Sequence, residues 1–284
     1  MFGRTPYETQ YRSIMNNIMQ GWIDGGTTYR QDRTGVGCNS VFNQSIKIDL
    51  ADGFPVLTGK RVWPKIFNTE FLWFINGETN IKRLTDNNVT IWDEWADEDG
   101  NLGPVYGHQA RNFNSQGIDQ IDGAIKSIGL NPDSRRHIIS LWNPAQLDEM
   151  ALPPCYLYFQ FFARRRTPHG GIPKLDMFVV QRSADWFLGV PYDVALFTNI
   201  LCYVASKASD LAQENELTGY VPGKLEMNFI DAHIYSNHRE ACAEYLKTPY
   251  KEIQPAFAFH PDKGSSLINY DPLRIKNIKA EVAV

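Results

Sequence analysis

The chain has 284 residues, of which 43% are hydrophobic and 21% are charged, so it can bury one sizeable core in a single large domain or in two small ones. Its formal net charge of −4 gives no basic field for a long nucleic acid, so we expect any nucleotide partner to be a small molecule held by a few arginines. The four cysteines are widely spaced and show neither a CxxC pair nor Cys/His ligand spacing, which argues against a zinc site and a disulfide framework.

The first predicted element is an amphipathic helix over 8–23, where apolar residues such as Tyr11 and Ile18 recur at helical spacing. A second helix is predicted over 119–128, with Gly129 and Asn131-Pro132 as its stop signals. Three later runs are rich in aromatic and branched side chains and predict short β-strands, over 137–142, 156–162 and 175–181.

A basic, turn-rich segment over 163–173 separates the last two strands, and we interpret it as a hairpin connection. Apolar spacing over 194–211 predicts a core helix. No Pro/Gly/Ser linker divides the chain, so residues 1–284 are expected to form one domain of the α+β class. The sequence shows no charged-then-apolar leader and no run of ~18 apolar residues, so we expect a cytoplasmic protein without a membrane partner, located in the host cell if its source is viral.

Several segments together resemble one enzyme family. They are DRTG at 32–35, EFLWFINGETN at 70–80, VTIWDEWAD at 89–97, LGPVYG at 102–107, NPDSRR at 131–136, ALPPC at 151–155 and DAHIYSNH at 231–238. From about the first helix to its last residue, the chain resembles the thymidylate synthase and deoxycytidylate (dCMP) hydroxymethylase superfamily. The resemblance implies a large mixed β-sheet covered by helices, with one sheet face forming a homodimer interface. It also implies transfer of one carbon from 5,10-methylenetetrahydrofolate to C5 of a pyrimidine nucleotide, without a metal.

Cys155 is the expected nucleophile, although a lone cysteine after two prolines is more often structural when it is considered without the resemblance. A thiolate that adds to C6 of a pyrimidine turns C5 into a nucleophile. A free thiol titrates near ~8.5, so it needs a nearby cation, for which Arg182 is the candidate. The resemblance places Tyr106 beside the cysteine and makes Glu70 a proton relay of raised pKa. Taken by itself, Glu70 equally suits a charge on a helix surface.

The nucleotide phosphate is expected to bind guanidinium groups, which suit its oxygens better than ammonium groups do. The resemblance implies that Arg135 and Arg136 reach across from a second subunit, which gives a two-fold homodimer; adjacent arginines are otherwise usually solvated. His233 and Tyr235 alternate along a strand and should bind the sugar hydroxyl from one side, with a satisfied core pair as the alternative. The full predicted nucleotide set is Arg33, Arg135, Arg136, Tyr156, Gln181, Arg182, Ser183, Asp193, His233 and Tyr235.

The folate site is also carried over from the resemblance. Trp92, with Asp93 and Trp95, is expected to form an aromatic wall over the folate, while Asp185 holds the pterin amide and amine. A closing C-terminal tail is expected to end at Val284. The full predicted folate set is Lys60, Trp92, Leu152, Asp185, Gly189, Tyr192 and Val284.

Asp193 is the most informative departure from the family pattern, because thymidylate synthases carry asparagine there and dCMP hydroxymethylases carry aspartate. A carboxamide matches the N3–H and O4 of uracil, whereas a carboxylate can accept from the N4 amine of cytosine. One proton must then lie on Asp193 or on N3, so we expect a raised pKa for Asp193. A neutral substitution in a tolerant loop is the alternative.

Other departures indicate a remodelled pocket. Tyr156 stands where histidine is usual, Ala110 replaces a usual tryptophan, and Trp63 and Ile66 replace small polar or histidine contacts to the folate. We expect 5-hydroxymethyl-dCMP as the product, formed by water addition to an exocyclic methylene. The alternatives are reductive methylation to 5-methyl-dCMP with dihydrofolate, an ordinary thymidylate synthase acting on dUMP, and a non-catalytic homologue that binds nucleotide or RNA.

Overall fold

The computed structural model describes residues 6–31, 34–164 and 171–272. Within these ranges, seven strands form one sheet and two more form a separate hairpin. The sheet strands are β1 (Thr28–Arg30), β2 (Cys38–Asp49), β3 (Ile138–Ser140), β4 (Tyr156–Arg164), β5 (Lys174–Gln181), β6 (Ala184–Asp185) and β7 (Val221–Tyr235). The hairpin strands are β8 (Ala256–His260) and β9 (Gly264–Ile268).

The sheet is mixed in direction. Its main path runs β1-β2-β7-β5-β4-β3, with β6 paired beside the end of β7. β7 runs parallel to β5 and β6 but antiparallel to β2, and the remaining pairs are antiparallel. The α+β class and the large mixed sheet expected from the sequence are therefore confirmed.

Helices cover one face of this sheet. α1 packs on β2 and β7, and α6 packs on β5 and β7. Both helices place apolar side chains in the core at helical spacing, including Tyr11 and Ile18 of α1. The helices in the described ranges are α1 (Tyr7–Asp24), α2 (Pro64–Ile75), α3 (Lys82–Asp86), α4 (Tyr106–Arg111), α5 (Gln120–Leu130), α6 (Val190–Glu214) and α7 (Arg239–Lys247).

Three predicted boundaries differ from the structure. Of the two expected stop signals for α5, Gly129 is wrong because the helix runs through it to Leu130, whereas the stop at Asn131-Pro132 is confirmed by the C-cap at Asn131. Gly129 lies against α6, where an added Cβ would be 3.2 Å from the Ala208 carbonyl oxygen, so glycine permits a close helix contact. The strand predicted over 137–142 is shorter, and the helix predicted from residue 194 begins at Val190. Asp193 therefore lies in a first helical turn rather than in a loop.

The other face of the sheet carries exposed apolar side chains. Ile138, Phe162 and Phe178 are 45%, 66% and 37% exposed. Gln160 of β4 pairs with both Ile138 and Phe178, so Ile138, Gln160 and Phe178 form one row across three strands.

β4 and β5 pair antiparallel, as the predicted hairpin connection requires, although its residues 165–170 lie outside the described ranges. Within those ranges, no helix has the length and apolar character that a membrane crossing needs.

A buried carboxylate fixes the loop between the short 3₁₀ helix at Leu50–Asp52 and α2. Glu8 has no exposed surface and accepts hydrogen bonds from Thr58 N (2.6 Å), Gly59 N (3.0 Å) and the Tyr245 hydroxyl (2.7 Å). Its charge is balanced by Arg12 at 3.2 Å. These bonds hold the backbone of residues 58 and 59, so they also fix the position at which the backbone of the next residue, Lys60, begins.

Candidate active site

Cys155 lies between two prolines and the start of β4, with its side chain partly exposed. Its backbone N–H donates to the Tyr106 hydroxyl at 3.1 Å, and its carbonyl accepts from Arg182 N at 2.8 Å. The Arg182 side chain donates to the carbonyls of Pro153 and Pro154, each at 2.9 Å. The guanidinium is therefore held along the peptide that leads into the cysteine, and its effect on the thiol stays a prediction.

Tyr106 begins α4 in a strained conformation. Its φ of 24° lies in the left-handed region that residues other than glycine rarely adopt. The ring contacts Trp92 and Tyr156, with centroid distances of 5.4 and 5.3 Å. Burial, and then the neighbouring Cys155, raises the pKa of Tyr106 well above its usual range, so the phenol keeps its proton. The strain thus places a neutral hydroxyl beside the backbone of Cys155.

Glu70 lies on α2 and faces the same aromatic group. The Trp92 indole N–H donates to Glu70 Oε1 at 3.1 Å. Burial, and then the charge of Asp193, raises the pKa of Glu70 to about 7, against the weaker opposing effect of the Trp92 hydrogen bond. A carboxyl group with a near-neutral pKa can both give and take protons at physiological pH. Glu70 is half-buried beside Trp92, and its role as a proton relay stays a prediction.

Asp193 receives a hydrogen bond on each carboxylate oxygen. The Tyr156 hydroxyl donates to Oδ1 at 2.6 Å, and Gln181 Nε2 donates to Oδ2 at 2.8 Å. Gln181 Nε2 also donates to the Ser183 carbonyl at 3.1 Å, which fixes the direction of the amide. Burial raises the pKa of Asp193, while the bonds from Tyr156 and Gln181 oppose that effect. The expected raised pKa is thus found, although other residues already engage the carboxylate.

Tyr156 connects the two halves of the pocket. Its side chain is only 7% exposed, and its ring packs against Tyr106 and, at 4.7 Å with an interplanar angle of 89°, against Phe197 of α6. Burial, and then Asp193, raises the pKa of Tyr156 well above its usual range, so its hydroxyl remains a donor. A continuous aromatic path through Trp92, Tyr106 and Tyr156 therefore leads from Glu70 to Asp193.

His233 and Tyr235 face the same side of β7, as their alternation predicted. Their ring centroids are 5.0 Å apart. His233 Nδ1 lies 3.3 Å from Asp231 Oδ1, and Arg30 lies 3.3 Å from Asp231 Oδ2. Burial would raise the pKa of Asp231, but His233, Ser40 and Arg30 together outweigh it and lower the pKa. Asp231 thus remains charged and can orient the His233 ring.

Lys60 and Asp185 occupy a second cluster. Lys60 Nζ donates to the Phe187 carbonyl at 2.5 Å and lies 3.8 Å from the centre of its ring. Burial lowers the pKa of Lys60 to about 8, against the opposing effect of Asp185. Asp185 Oδ1 accepts from the amides of Phe187 and Leu188 at 2.9 and 3.1 Å. The turn that precedes α6 is therefore fixed by a carboxylate and a lysine from different parts of the chain.

Two further predicted folate residues, Gly189 and Tyr192, lie at the start of α6. Gly189 caps α6, and its carbonyl accepts from Asp193 N at 3.0 Å. The Tyr192 hydroxyl accepts from Trp63 N at 3.5 Å. Leu152 is partly buried, three residues before Cys155.

Four other predicted residues are not part of this described cluster. Arg33 and Val284 lie outside the described residues, while Arg135 and Arg136 are exposed in the single subunit. Among the described residues, no group of three or more His, Cys, Asp or Glu side chains is arranged to hold a metal ion.

The departures from the family pattern have different environments. Ala110 is fully buried in the core. Trp63 is half exposed, with the Arg61 guanidinium 4.5 Å from its ring centre. Ile66 is partly buried against the core. Among the described contacts, the Tyr156 side chain donates to Asp193, and the Trp63 backbone N–H donates to the Tyr192 hydroxyl.

Sequence reasoning missed two supporting residues. Trp142 lies under the Arg182 guanidinium, 5.4 Å from its ring centre. Asp231 orients His233 and was part of a quoted motif, but no role was assigned to it. Its position two residues before the histidine on one strand was a usable signal, because residues i and i+2 share a face.

The match to known families is consistent with this geometry. The family model described as thymidylate synthase matches residues 9–284, which include Glu70, Cys155, Arg182 and Asp193. Enzymes of this family transfer one carbon from methylenetetrahydrofolate to C5 of a pyrimidine nucleotide. Cys155 with an adjacent guanidinium and Glu70 with a near-neutral pKa suit that reaction. From this match and this site, we conclude that the chain belongs to the thymidylate synthase family.

Proposed function

We propose that the protein transfers one carbon from 5,10-methylenetetrahydrofolate to C5 of dCMP and releases 5-hydroxymethyl-dCMP. The observation that carries this proposal is the carboxylate of Asp193 in the pocket formed by Tyr156 and Gln181. A product of this kind supplies a modified cytosine for DNA, which suits a viral or otherwise unusual genome.

Base selection follows from the hydrogen-bonding capacity of Asp193. An ionised carboxylate has only acceptors, and cytosine offers an N4 amine donor beside N3. When N3 carries a proton, both positions of cytosine become donors and match the two oxygens. Uracil would instead direct O4 at a carboxylate oxygen. Unmatched polar groups in a buried site are costly, so the keto base is disfavoured.

Several described residues can be given roles in the steps that the hydroxymethylation and methylation reactions share. Cys155 adds to C6, and Arg182 stabilises its thiolate from the preceding peptide. Glu70 exchanges protons with the ring and with the departing folate nitrogen. Trp92 and Tyr106 form the aromatic wall beside the reacting carbon. Asp185, held by backbone amides through Oδ1, suits the N–H groups of a pterin.

The nucleotide sugar and phosphate use separate parts of the site. In this proposal, His233 and Tyr235 bind the sugar hydroxyl, with Asp231 fixing the histidine ring. Arg182 and Ser183 contact the phosphate together with Arg33. Lys60, Leu152, Gly189 and Tyr192 contribute to the folate side.

The final step decides between two products. Water addition to the exocyclic methylene gives the hydroxymethyl nucleotide and tetrahydrofolate, whereas hydride transfer gives the methyl nucleotide and dihydrofolate. We favour water addition because Asp193 and Tyr156 together depart from the methylating pattern. Reductive methylation of dCMP is the second candidate, favoured by the aromatic wall around Trp92, which limits access of water.

Mass spectrometry of the product separates these fates. Incubation of dCMP with methylenetetrahydrofolate is expected to add CH₂O to the nucleotide, with tetrahydrofolate as the second product. A gain of CH₂ together with dihydrofolate would establish methylation instead. Parallel incubation of 5-tritiated dCMP and dUMP checks the base: tritium release from dUMP alone would overturn the cytosine assignment.

We also propose a two-fold homodimer formed by the open sheet face. Support comes from Ile138, Phe162 and Phe178, whose exposed apolar side chains are unusual on a sheet that faces only water. Arg135 and Arg136 lie just before β3 at the edge of this face and are exposed. If a partner subunit packs on this face, the guanidinium groups of Arg135 and Arg136 reach the nucleotide phosphate that the partner subunit binds.

Mixing two inactive variants tests whether these arginines act across the interface. Cys155→Ala and the double variant Arg135→Ala/Arg136→Ala are each expected to be inactive. After subunit exchange, up to roughly a quarter of wild-type activity is expected to return, because mixed dimers contain one site with neither defect. Each variant subjected to exchange alone is the control. No recovery despite mixed dimers visible in native mass spectrometry would place the arginines in their own subunit's site.

A further inference from the structure

Two carboxyl groups border the same pocket, but their hydrogen-bond partners are unequal. Asp193 accepts from the Tyr156 hydroxyl at 2.6 Å and from the Gln181 amide at 2.8 Å. Glu70 accepts one hydrogen bond in the part of the chain that the structure describes, from the Trp92 indole at 3.1 Å. The ionised form of Asp193 is therefore stabilised by more donors than that of Glu70.

This inequality matters because the two negative charges affect each other. Burial disfavours the charged form of each carboxyl group, and the charge of Asp193 further raises the pKa of Glu70. Coupled acids in one pocket divide their protons according to the donors that each one meets. A single negative charge in this pocket is thus placed on Asp193, while the proton remains on Glu70.

We propose that Tyr156 is a positioning residue that makes Asp193 the anion and Glu70 the acid of this pair, so that cytosine is bound with a proton on N3. The second part rests on the proposed function, while the first concerns the free enzyme alone. Tyr156 acts through Asp193 and need not touch the nucleotide for this role.

Tyr156 is better suited to this role than Gln181. The Gln181 amide gives one N–H to Asp193 and its other N–H to the Ser183 carbonyl. Of the two donors to Asp193, Tyr156 lowers the pKa of Asp193 more than Gln181 does. The Tyr156 ring is fixed by Tyr106 and Phe197, and its hydroxyl makes the shorter bond to Asp193. The phenol also retains its proton, because burial raises its pKa well above the usual range.

Other titratable groups around the pair leave this division intact. The charge of Asp185 raises the pKa of Asp193 and so opposes its ionisation, but this effect is smaller than that of either hydrogen bond to Asp193. Tyr7 and Tyr106 also feel the charge of Asp193, and Tyr192 feels that of Glu70, but the pKa of each phenol is raised by burial first. These tyrosines stay neutral, so they add no further negative charge to the pair.

A proton on N3 has a direct chemical consequence for Cys155. As the thiolate forms a bond to C6, the C5–C6 π pair moves to C4–C5, and the C4–N3 π pair becomes a lone pair on N3. With N3 protonated, this lone pair neutralises a positive charge instead of creating a negative one. The proton comes from solvent when dCMP binds and is returned when the product leaves. Tyr156 therefore promotes attack at the distant C6 by keeping Asp193 ionised.

The free-enzyme part is tested by titrating the side-chain carboxyls of ¹³C-labelled protein in NMR spectra. Asp193→Asn and Glu70→Gln assign the two resonances. In Tyr156→Phe, the Asp193 midpoint is expected to move to higher pH and the Glu70 midpoint to lower pH. Tyr158→Phe, which removes a hydroxyl from the same strand, is the control and should move neither. Unchanged midpoints in a folded Tyr156→Phe enzyme would overturn the proposal.

Calorimetry of dCMP binding tests the second part. In buffers of different ionisation heat, wild-type enzyme is expected to take up a proton with dCMP at a pH above the Asp193 midpoint. Tyr156→Phe should take up less, because its Asp193 is already partly protonated. Equal uptake by both enzymes would contradict a protonated N3. If dUMP binds and dCMP does not, the proposed function fails, but the carboxyl titration still decides the role of Tyr156.

Discussion

Replacing Asp193 with asparagine is expected to move the nucleotide preference from dCMP towards dUMP by ~10⁴ in the ratio of the two kcat/KM values. The carboxamide supplies an oxygen for N3–H and an NH₂ group for O4, which a carboxylate cannot do. It also loses one acceptor for the donors Tyr156 and Gln181, so part of the local network must rearrange. Steady-state kinetics with both nucleotides at saturating methylenetetrahydrofolate measure the change.

A matched control for this variant exists on the same helix. Asp210 of α6 is exposed, so Asp210→Asn removes the same charge without changing the pocket. Its selectivity should equal that of the wild type. If Asp193→Asn keeps the wild-type ratio while remaining folded, another residue selects the base and the carboxylate interpretation is wrong.

Replacing Cys155 with alanine should abolish turnover while leaving nucleotide binding largely intact. Loss of a covalent nucleophile removes the step that activates C5, and comparable losses in other enzymes reach ~10⁶ in kcat. Binding should survive because the Arg182 guanidinium is held by the carbonyls of Pro153 and Pro154 rather than by the thiol. The Tyr106 contact also uses the cysteine backbone, which alanine retains. Product formation and calorimetric dCMP binding are the two measurements.

Cys202→Ala serves as the control, because Cys202 is buried in α6. It should retain turnover with at most a moderate loss of stability. Persistent turnover in Cys155→Ala would eliminate the covalent mechanism. A wild-type protein that binds dCMP or dUMP but converts neither would instead support the non-catalytic homologue considered from the sequence.

The regular elements were predictable where local pattern decides them. The opening helix, expected over 8–23, extends over Tyr7–Asp24 because its apolar spacing and its burial agree. Two local stop signals were available for α5, and the helix ends at the second of them, directly before Asn131. Gly129 ordinarily favours a helix stop, but here its small size lets the helix continue against α6. Tertiary packing thus overrode a local preference.

The members of the site were easier to predict than their pairing. The motif around Cys155 and the unusual Asp193 indicated the chemistry directly. However, Tyr156 and Asp193 are 37 positions apart, and their hydrogen bond depends on how β4 lies beneath α6. The same holds for Lys60 and Phe187, which are 127 positions apart. The type of a residue indicates which interactions its side chain can make. Only the packing of distant elements shows which partner it interacts with.

The buried Glu8 carboxylate separates the anchoring of a loop from the residues that loop displays. The buried Glu8 carboxylate accepts hydrogen bonds from the backbone N–H groups of Thr58 and Gly59. Trp63, which follows this fixed segment, is half exposed. New side chains can therefore be tried at the outer positions without loosening the stem. This arrangement leaves the exposed positions Trp63 and Lys65 free to diverge, and it makes them the natural place for engineered libraries.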